Sequence, residues 1–285
     1  MSLPTTISEA LAHARRIAAA SGEALTPSTA QALLAHITGR GRAWLFAHGE
    51  QPLSAADAAR FVALLGRAAA GEPLAHLTGA REFYGLAFSV TPDVLIPRPE
   101  TEALVDVTLE WAQARALPTP RIIDVGTGSG AIAVALAVKL PQACIVAADI
   151  SWEALVIARA NAQRHGVAER LSFVLADLLE GLAGPFDAIA ANLPYINREE
   201  LAALEVGRWE PLVALDGGPD GLDMVRRLLQ QAPSRIAPGG LLVLEIGSDQ
   251  GARAAALCRD AFPLARVSIL PDLAGRERVI RVDIP

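Results

Sequence analysis

The stretch RIIDVGTGSGAIAVALAVKL, residues 121–140, constrains this chain more than any other part of it. It reads as a buried strand, a glycine turn and a helix. Asp124 closes the strand, and Gly126, Gly128 and Gly130 make the turn. A backbone bends that tightly, and comes that close to a ligand, where side chains are absent. The turn leads into a helix N-terminus, whose free N–H groups suit a polar ligand. Two later features answer to it. Asp149 ends the next strand, and Asn192-Leu193-Pro194-Tyr195 ends the fourth.

From residue 121 onward the pattern alternates strand and helix. Strands are expected at 121–125, 143–148, 171–176, 186–191 and 241–246, and helices near 129–140, 151–165, 221–235 and 249–261. Several strands are nearly all apolar, as expected where helices cover both faces of a parallel sheet. Residues 265–270 and 278–283 read as a terminal hairpin. Right-handed crossovers then give an α/β fold, a doubly wound sheet with an antiparallel end.

The residues before it read differently. Ile7, Leu11, Ala14 and Ile17 recur at helical spacing. Thr26-Pro27 opens a second helix that ends at Gly39, and Ser54 caps a third with Asp57 three residues on. Trp44-Leu45-Phe46 is a short apolar segment between them. Around Phe83-Tyr84, Leu86–Val90 and Val94–Ile96 the pattern becomes β-rich, and Thr91-Pro92-Asp93 is a turn. The expected organisation is a helical substrate-recognition domain over 1–75, a β-hairpin linker over 76–97 and a catalytic domain over 98–285.

Composition excludes several alternatives. A chain of 285 residues, 52% apolar, has material for both cores. A formal charge of -6 argues against direct nucleic-acid binding. Cys144 and Cys258 read as buried reduced thiols, and the histidines lack metal-ligand spacing, so no metal is expected. No stretch is long and apolar enough to span a membrane, and no signal-peptide pattern opens the chain. A cytoplasmic monomer is the expectation. There is neither a GxSxG elbow nor a Walker lysine.

The site residues follow from the chemistry. Asp149, after the second strand, is placed to accept both hydroxyls of a ribose. Asp124 either holds the glycine loop or receives a cationic ligand group, and Asp177 is placed to accept from an adenine amino group. These residues suit NAD and S-adenosylmethionine equally. The Asn192–Tyr195 tetrapeptide separates the two. The NH₂ of a carboxamide or an adenine has a delocalised lone pair and attacks poorly. The Asn192 oxygen can accept one N–H and the Pro194 carbonyl the other, which aims the nitrogen at an activated methyl. Tyr195 can stack on the planar group.

Taken in order, GEPLAHLTG (71–79), REFYGLAFSV (81–90), VLIPRPETE (94–102), DVGTGSGAIA (124–133), NLPYI, EPLVALDGGPDGL (210–222) and DLAGRERV (272–279) make the sequence similar to the HemK/PrmC family, the peptide chain release factor glutamine methyltransferases. The resemblance implies a class I, Rossmann-like S-adenosylmethionine-dependent methyltransferase. Its mostly parallel sheet would have seven strands and be joined by a β-hairpin to an N-terminal helical bundle. It implies methyl transfer to the side-chain amide nitrogen, N5, of the glutamine in the Gly-Gly-Gln motif of bacterial-type release factors, with the bundle helping to hold that partner. The cofactor residues would be Asp124, Gly126, Thr127, Gly128, Ser129, Gly130, Asp149, Asp177, Leu178 and Asn192. The acceptor would meet Asn192, Leu193, Pro194 and Tyr195, with Arg98, Glu100 and Thr101 close by. The family usually shows Asn-Pro-Pro-Tyr, and this chain has Leu193 at the second position. Asn-Leu-Pro-Tyr is also the form in ribosomal RNA adenine dimethyltransferases, so N6-adenine methylation of RNA or DNA is the alternative.

Overall fold

The computed structural model describes residues 3–21, 25–272 and 274–285, and the chain forms two compact units, Met1–Ala80 and Arg81–Pro285. The first unit is helical: α1 (Ile7–Ser21), α2 (Pro27–Thr38), α3 (Arg42–Ala47), α4 (Ala55–Ala69) and α5 (Leu74–Thr78). The Thr26 hydroxyl accepts from the Thr29 N–H at 3.1 Å, and Ser54 Oγ from Asp57 N–H at 3.0 Å. Each satisfies an N–H that the first turn leaves unpaired. Ile7, Leu11, Leu33, Leu34, Phe61 and Leu65 form the core of this unit. The apolar segment at 44–46 is α3, too short to show a period. Leu45 is buried in the core, Trp44 packs partly buried against it, and Phe46 stays exposed.

The second unit opens with a hairpin, β1 (Ala80–Phe83) and β2 (Leu86–Ser89), whose Phe83 and Phe88 pack edge to face into the sheet domain's own core. Residues 94–96 form no strand. They are a buried connection whose Ile96 N–H donates to the Glu210 carboxylate at 2.8 Å. A 3₁₀ turn at Pro99–Thr101 leads into α6 (Glu102–Arg115). There follow β3 (Arg121–Val125), α7 (Ala131–Lys139), β4 (Cys144–Asp149), α8 (Trp152–Arg164), β5 (Leu171–Leu175) and β6 (Phe186–Ala191). After these come α9 (Arg198–Ala203), α10 (Asp223–Gln231), β7 (Ile236–Glu245), α11 (Gly251–Ala261), β8 (Arg266–Pro271) and β9 (Glu277–Asp283).

The seven strands β3 to β9 form one sheet in the order β5-β4-β3-β6-β7-β9-β8. All neighbours from β5 to β7 are parallel, and β9 runs antiparallel to both β7 and β8. Alternation along β3 divides the core: Ile122 faces α6 and α7, while Ile123 and Val125 face α10 and α11. The strand order reverses between β3 and β6. Crossovers leave in opposite directions there and open a crevice at the carboxyl ends of the strands. One cysteine differs from expectation. Cys258 is buried, its thiol pushed by burial up to about 12, but Cys144 is exposed at the first position of β4.

Candidate active site

The glycine turn lies at the carboxyl end of β3, and Gly126 and Gly130 have φ of 73° and 82°. Only glycine takes this region without strain. Space is short as well. A Cβ on Gly130 would lie 3.0 Å from the Ala158 Cβ, and one on Gly126 would lie 3.3 Å from Leu193 Cδ2. Asp124 is fully buried beneath the turn. Its Oδ2 accepts from Thr127 Oγ1 at 2.6 Å and from the Ala133 N–H at 3.1 Å. Thr127 therefore braces the loop. Ser129 is also buried, and its carbonyl accepts from Asn161 Nδ2 at 2.8 Å. Asp124 Oδ1 has no partner, and burial pushes the carboxyl up to about 7, with the nearby Asp149 adding to the rise.

Asp149 caps no helix. Ser151 does that, accepting from the Ala154 N–H. Instead the Asp149 carboxylate takes the Gly128 N–H at 2.8 Å and the Ser151 N–H at 2.9 Å, while burial raises its pKa. A cavity of about 410 Å³ opens there, bounded by Gly126, Gly128, Asp149, Leu178, Asn192 and Arg227 among others. Leu178 reaches its wall at a φ of 56°. Asp177 lines the cavity too, and its carboxylate is already held by Arg227 at 2.6 Å. Sequence reasoning missed Arg227, which lies 50 residues away on α10 with no motif to mark it.

A second cavity, of about 190 Å³, adjoins residues Leu95, Arg98, Asn192, Tyr195, Ile196 and Ala214. Asn192 borders both. Its Nδ2 donates to Thr101 Oγ1 at 3.0 Å, and Thr101 Oγ1 donates to Glu245 Oε2 at 2.6 Å. Glu245 is 2% exposed, and burial pushes it up to about 7. The Tyr195 hydroxyl faces the same carboxylate, and burial, then that charge, raises it to about 12. Arg98 pairs with the buried Glu210 at 2.5 Å. Leu193 is buried against the glycine turn. The Pro194 carbonyl accepts no hydrogen bond among the described residues, and Gly217 comes so near that a Cβ there would lie 2.8 Å from the oxygen. Glu100 is exposed and borders neither cavity. Among the described residues no group of three His, Cys, Asp or Glu is placed to hold a metal ion.

A sheet of this order, with a glycine turn after its first strand and an acid after its second, is the Rossmann-like α/β fold of class I methyltransferases. Solved structures agree on the fold. A T. thermophilus 16S rRNA methyltransferase (RsmC) in complex with AdoMet and guanosine matches at a TM-score of 0.53 and 17% identity, over 72% of this chain and 50% of that one. The PrmC N-terminal domain family matches residues 9–79, and the Methyltransferase small domain family residues 105–207. The release factor glutamine methyltransferase of Bordetella pertussis is 47% identical over 88% of this chain and 92% of its own. That of Moorella thermoacetica is 46% identical over 96% of each. The chain belongs to the release factor glutamine methyltransferase family.

Proposed function

We propose that this protein transfers a methyl group from S-adenosyl-L-methionine to the side-chain N5 of the glutamine in the Gly-Gly-Gln motif of peptide chain release factors, in the cytoplasm. The observation that carries this reading is Asn192, which stands between two cavities with its Oδ1 accepting nothing among the described residues.

The larger cavity fits the cofactor by its donor set. The Asp149 carboxylate, held in place by two backbone N–H groups, suits ribose hydroxyls. The unpartnered Asp124 Oδ1 beneath the glycine turn suits the field of an ammonium group. Leu178 offers an aliphatic wall to adenine, and Asp177 with Arg227 borders its edge. When bound, the cofactor supplies a methyl made electrophilic by positively charged sulfur.

The chain's own residues do the rest. A carboxamide nitrogen is a poor nucleophile because its lone pair is shared with the carbonyl. Asn192 Oδ1 accepts one of its N–H bonds and the Pro194 carbonyl the other. Both bonds strengthen as positive charge grows on nitrogen, so they stabilise the transition state more than the ground state. No strong base is needed, since the N–H becomes acidic only as the C–N bond forms and its proton then passes to water. Tyr195 covers the amide plane, and its hydroxyl, tied to Glu245, keeps the ring oriented. Leu193 keeps the wall beside the glycine turn closed. The helical unit upstream helps to hold the release factor.

The test is direct. Purified protein, a release factor and labelled cofactor are incubated, and the methyl is mapped by peptide mass spectrometry. One added methyl on the Gly-Gly-Gln glutamine is the expected result. No mass increase there overturns the assignment.

A further inference from the structure

Asn192 has two chemically opposite ends, and the proposed reaction needs only one of them. Its oxygen can accept an N–H of the acceptor amide, whereas its NH₂ would meet that amide donor against donor. Something must decide which end faces the cavity, because the two orientations are nearly the same in shape.

The decision can be followed along three side chains. Glu245, on β7, is a carboxylate and can only accept. The Thr101 hydroxyl has one hydrogen, committed to Glu245 at 2.6 Å. Towards Asn192, Thr101 Oγ1 therefore presents only lone pairs. Only the NH₂ of Asn192 can lie against it, which it does at 3.0 Å. Flipping Asn192 would set oxygen against oxygen and leave a buried hydrogen bond unmade. Thr101 is 4% exposed and Glu245 2%, so water offers neither a substitute partner.

We propose that Thr101 and Glu245 are positioning residues for methyl transfer, a buried relay that holds the Asn192 amide with its oxygen towards the acceptor. This rests on the amide-methylation reading above. Neither residue touches the acceptor in this scheme. Each acts through the next.

The relay depends on Glu245 remaining an acceptor. The groups facing it are Thr101 and Glu100 from the 3₁₀ turn, Tyr195 from the loop after β6, and Arg278 from β9. Burial raises its pKa to about 7, against the pull of Thr101, Arg278 and Tyr195. Once protonated, Glu245 can donate to Thr101. The threonine hydrogen is then free to turn to Asn192 and stabilise the flipped amide. Transfer should therefore fall as pH drops through about 7.

The experiment compares Thr101→Val, which keeps the shape and removes the hydroxyl, with Thr101→Ser, which restores it. Losing the bond that orients Asn192, along with the one to Glu245, should lower kcat for whole release factor by about ten-fold in Thr101→Val. Thr101→Ser should recover most of that and the Tm lost with the bond to buried Glu245, with cofactor Kd alike in both. Glu245→Gln should flatten the acid limb of the kcat–pH profile. Retained kcat in Thr101→Val, or an equal loss in Thr101→Ser, overturns the relay.

A second readout needs no acceptor. The chain's only asparagines are Asn161, Asn192 and Asn197, so ¹⁵N-asparagine labelling gives few side-chain NH₂ signals, and Asn192→Asp assigns the relevant one. That signal should shift and exchange faster in Thr101→Val but not in Thr101→Ser. If it is unmoved in Thr101→Val, the relay is wrong whatever the kinetics. If wild-type protein leaves release factor unmethylated, the assigned acceptor is wrong, and the NMR result decides the relay by itself.

Discussion

The two ends of the parallel sheet each carry a cavity of about 410 Å³, and they differ in what lines them. At the amino ends the two arginines of the lining are spent on backbone carbonyls. Arg121 donates to the Pro185 carbonyl at 2.9 Å, and Arg170 to the carbonyls of Leu140 and Pro141 at 3.2 Å each. At the carboxyl ends Asp124 Oδ1, Asn192 Oδ1 and the Pro194 carbonyl accept nothing among the described residues. Of these, Asp124 Oδ1 is buried, where polar groups are normally satisfied, so it is free to answer a bound ligand. Volume alone would not have told the two ends apart. The parallel topology would, since ligands gather where strands end and crossovers diverge.

That contrast can be tested by substitution. Asn192→Ala should have the largest effect, on the order of 10²-fold or more in kcat with cofactor affinity nearly unchanged, because the lost bond strengthens only in the transition state. Single-turnover transfer and calorimetry read the two quantities, and equal losses in both would make Asn192 merely structural. Asp149→Ala should weaken cofactor binding roughly ten- to hundred-fold, as expected for removing a carboxylate that accepts from ligand hydroxyls. Calorimetry with the product cofactor measures it, and unchanged affinity would remove Asp149 from the site.

The buried carboxyls predict a pH effect on stability. Asp124 and Glu245 are both raised, to about 7, so each holds its proton more tightly folded than unfolded. Their contribution is fully present below the unfolded carboxylate range and is lost as pH rises through about 7. Asp124→Asn should flatten the decline in Tm between about pH 5 and pH 8 relative to wild type. A slope that does not change would place the burden elsewhere. The smallest effect belongs to the amino ends. Ser172→Ala, in the exposed lining of that cavity, should leave stability within about 0.5 kcal/mol and transfer at the wild-type rate. A marked loss of transfer would erase the distinction between the two ends.

Features whose cause is local were legible in the sequence. The caps at Thr26 and Ser54, the glycine turn and the apolar strands each depend on residues a few positions apart. Short elements without a full period were not. Helices α5 and α9, and the 3₁₀ turns from Glu205 to Ala214, show too few turns to display one. β7 starts at Ile236, earlier than the 241 expected, because Pro238-Gly239-Gly240 look like a loop. There the strand shifts register against β6 and continues. In the proposed site, Asp124, Asp149 and Asn192 could be picked out because each lies at the carboxyl end of a strand. Glu245 ends one too, but its meaning lies in Thr101, 144 residues earlier, and no spacing rule reaches that far. Cys144 was misjudged because apolar neighbours in sequence do not bury the first residue of a strand.

Leu193 carries a consequence for how this protein could change over time. Its side chain lies against Gly126, so the glycine turn and the loop after β6, the proposed donor and acceptor loops, share one wall. A drift in either is felt by the other. Variants seeking a new acceptor by reshaping position 193 would disturb the donor pocket in the same step, and a side chain added at 126 would push on the acceptor loop. The two proposed half-sites meet at this methyl-to-backbone approach, and a descendant with altered specificity should carry paired changes at both positions.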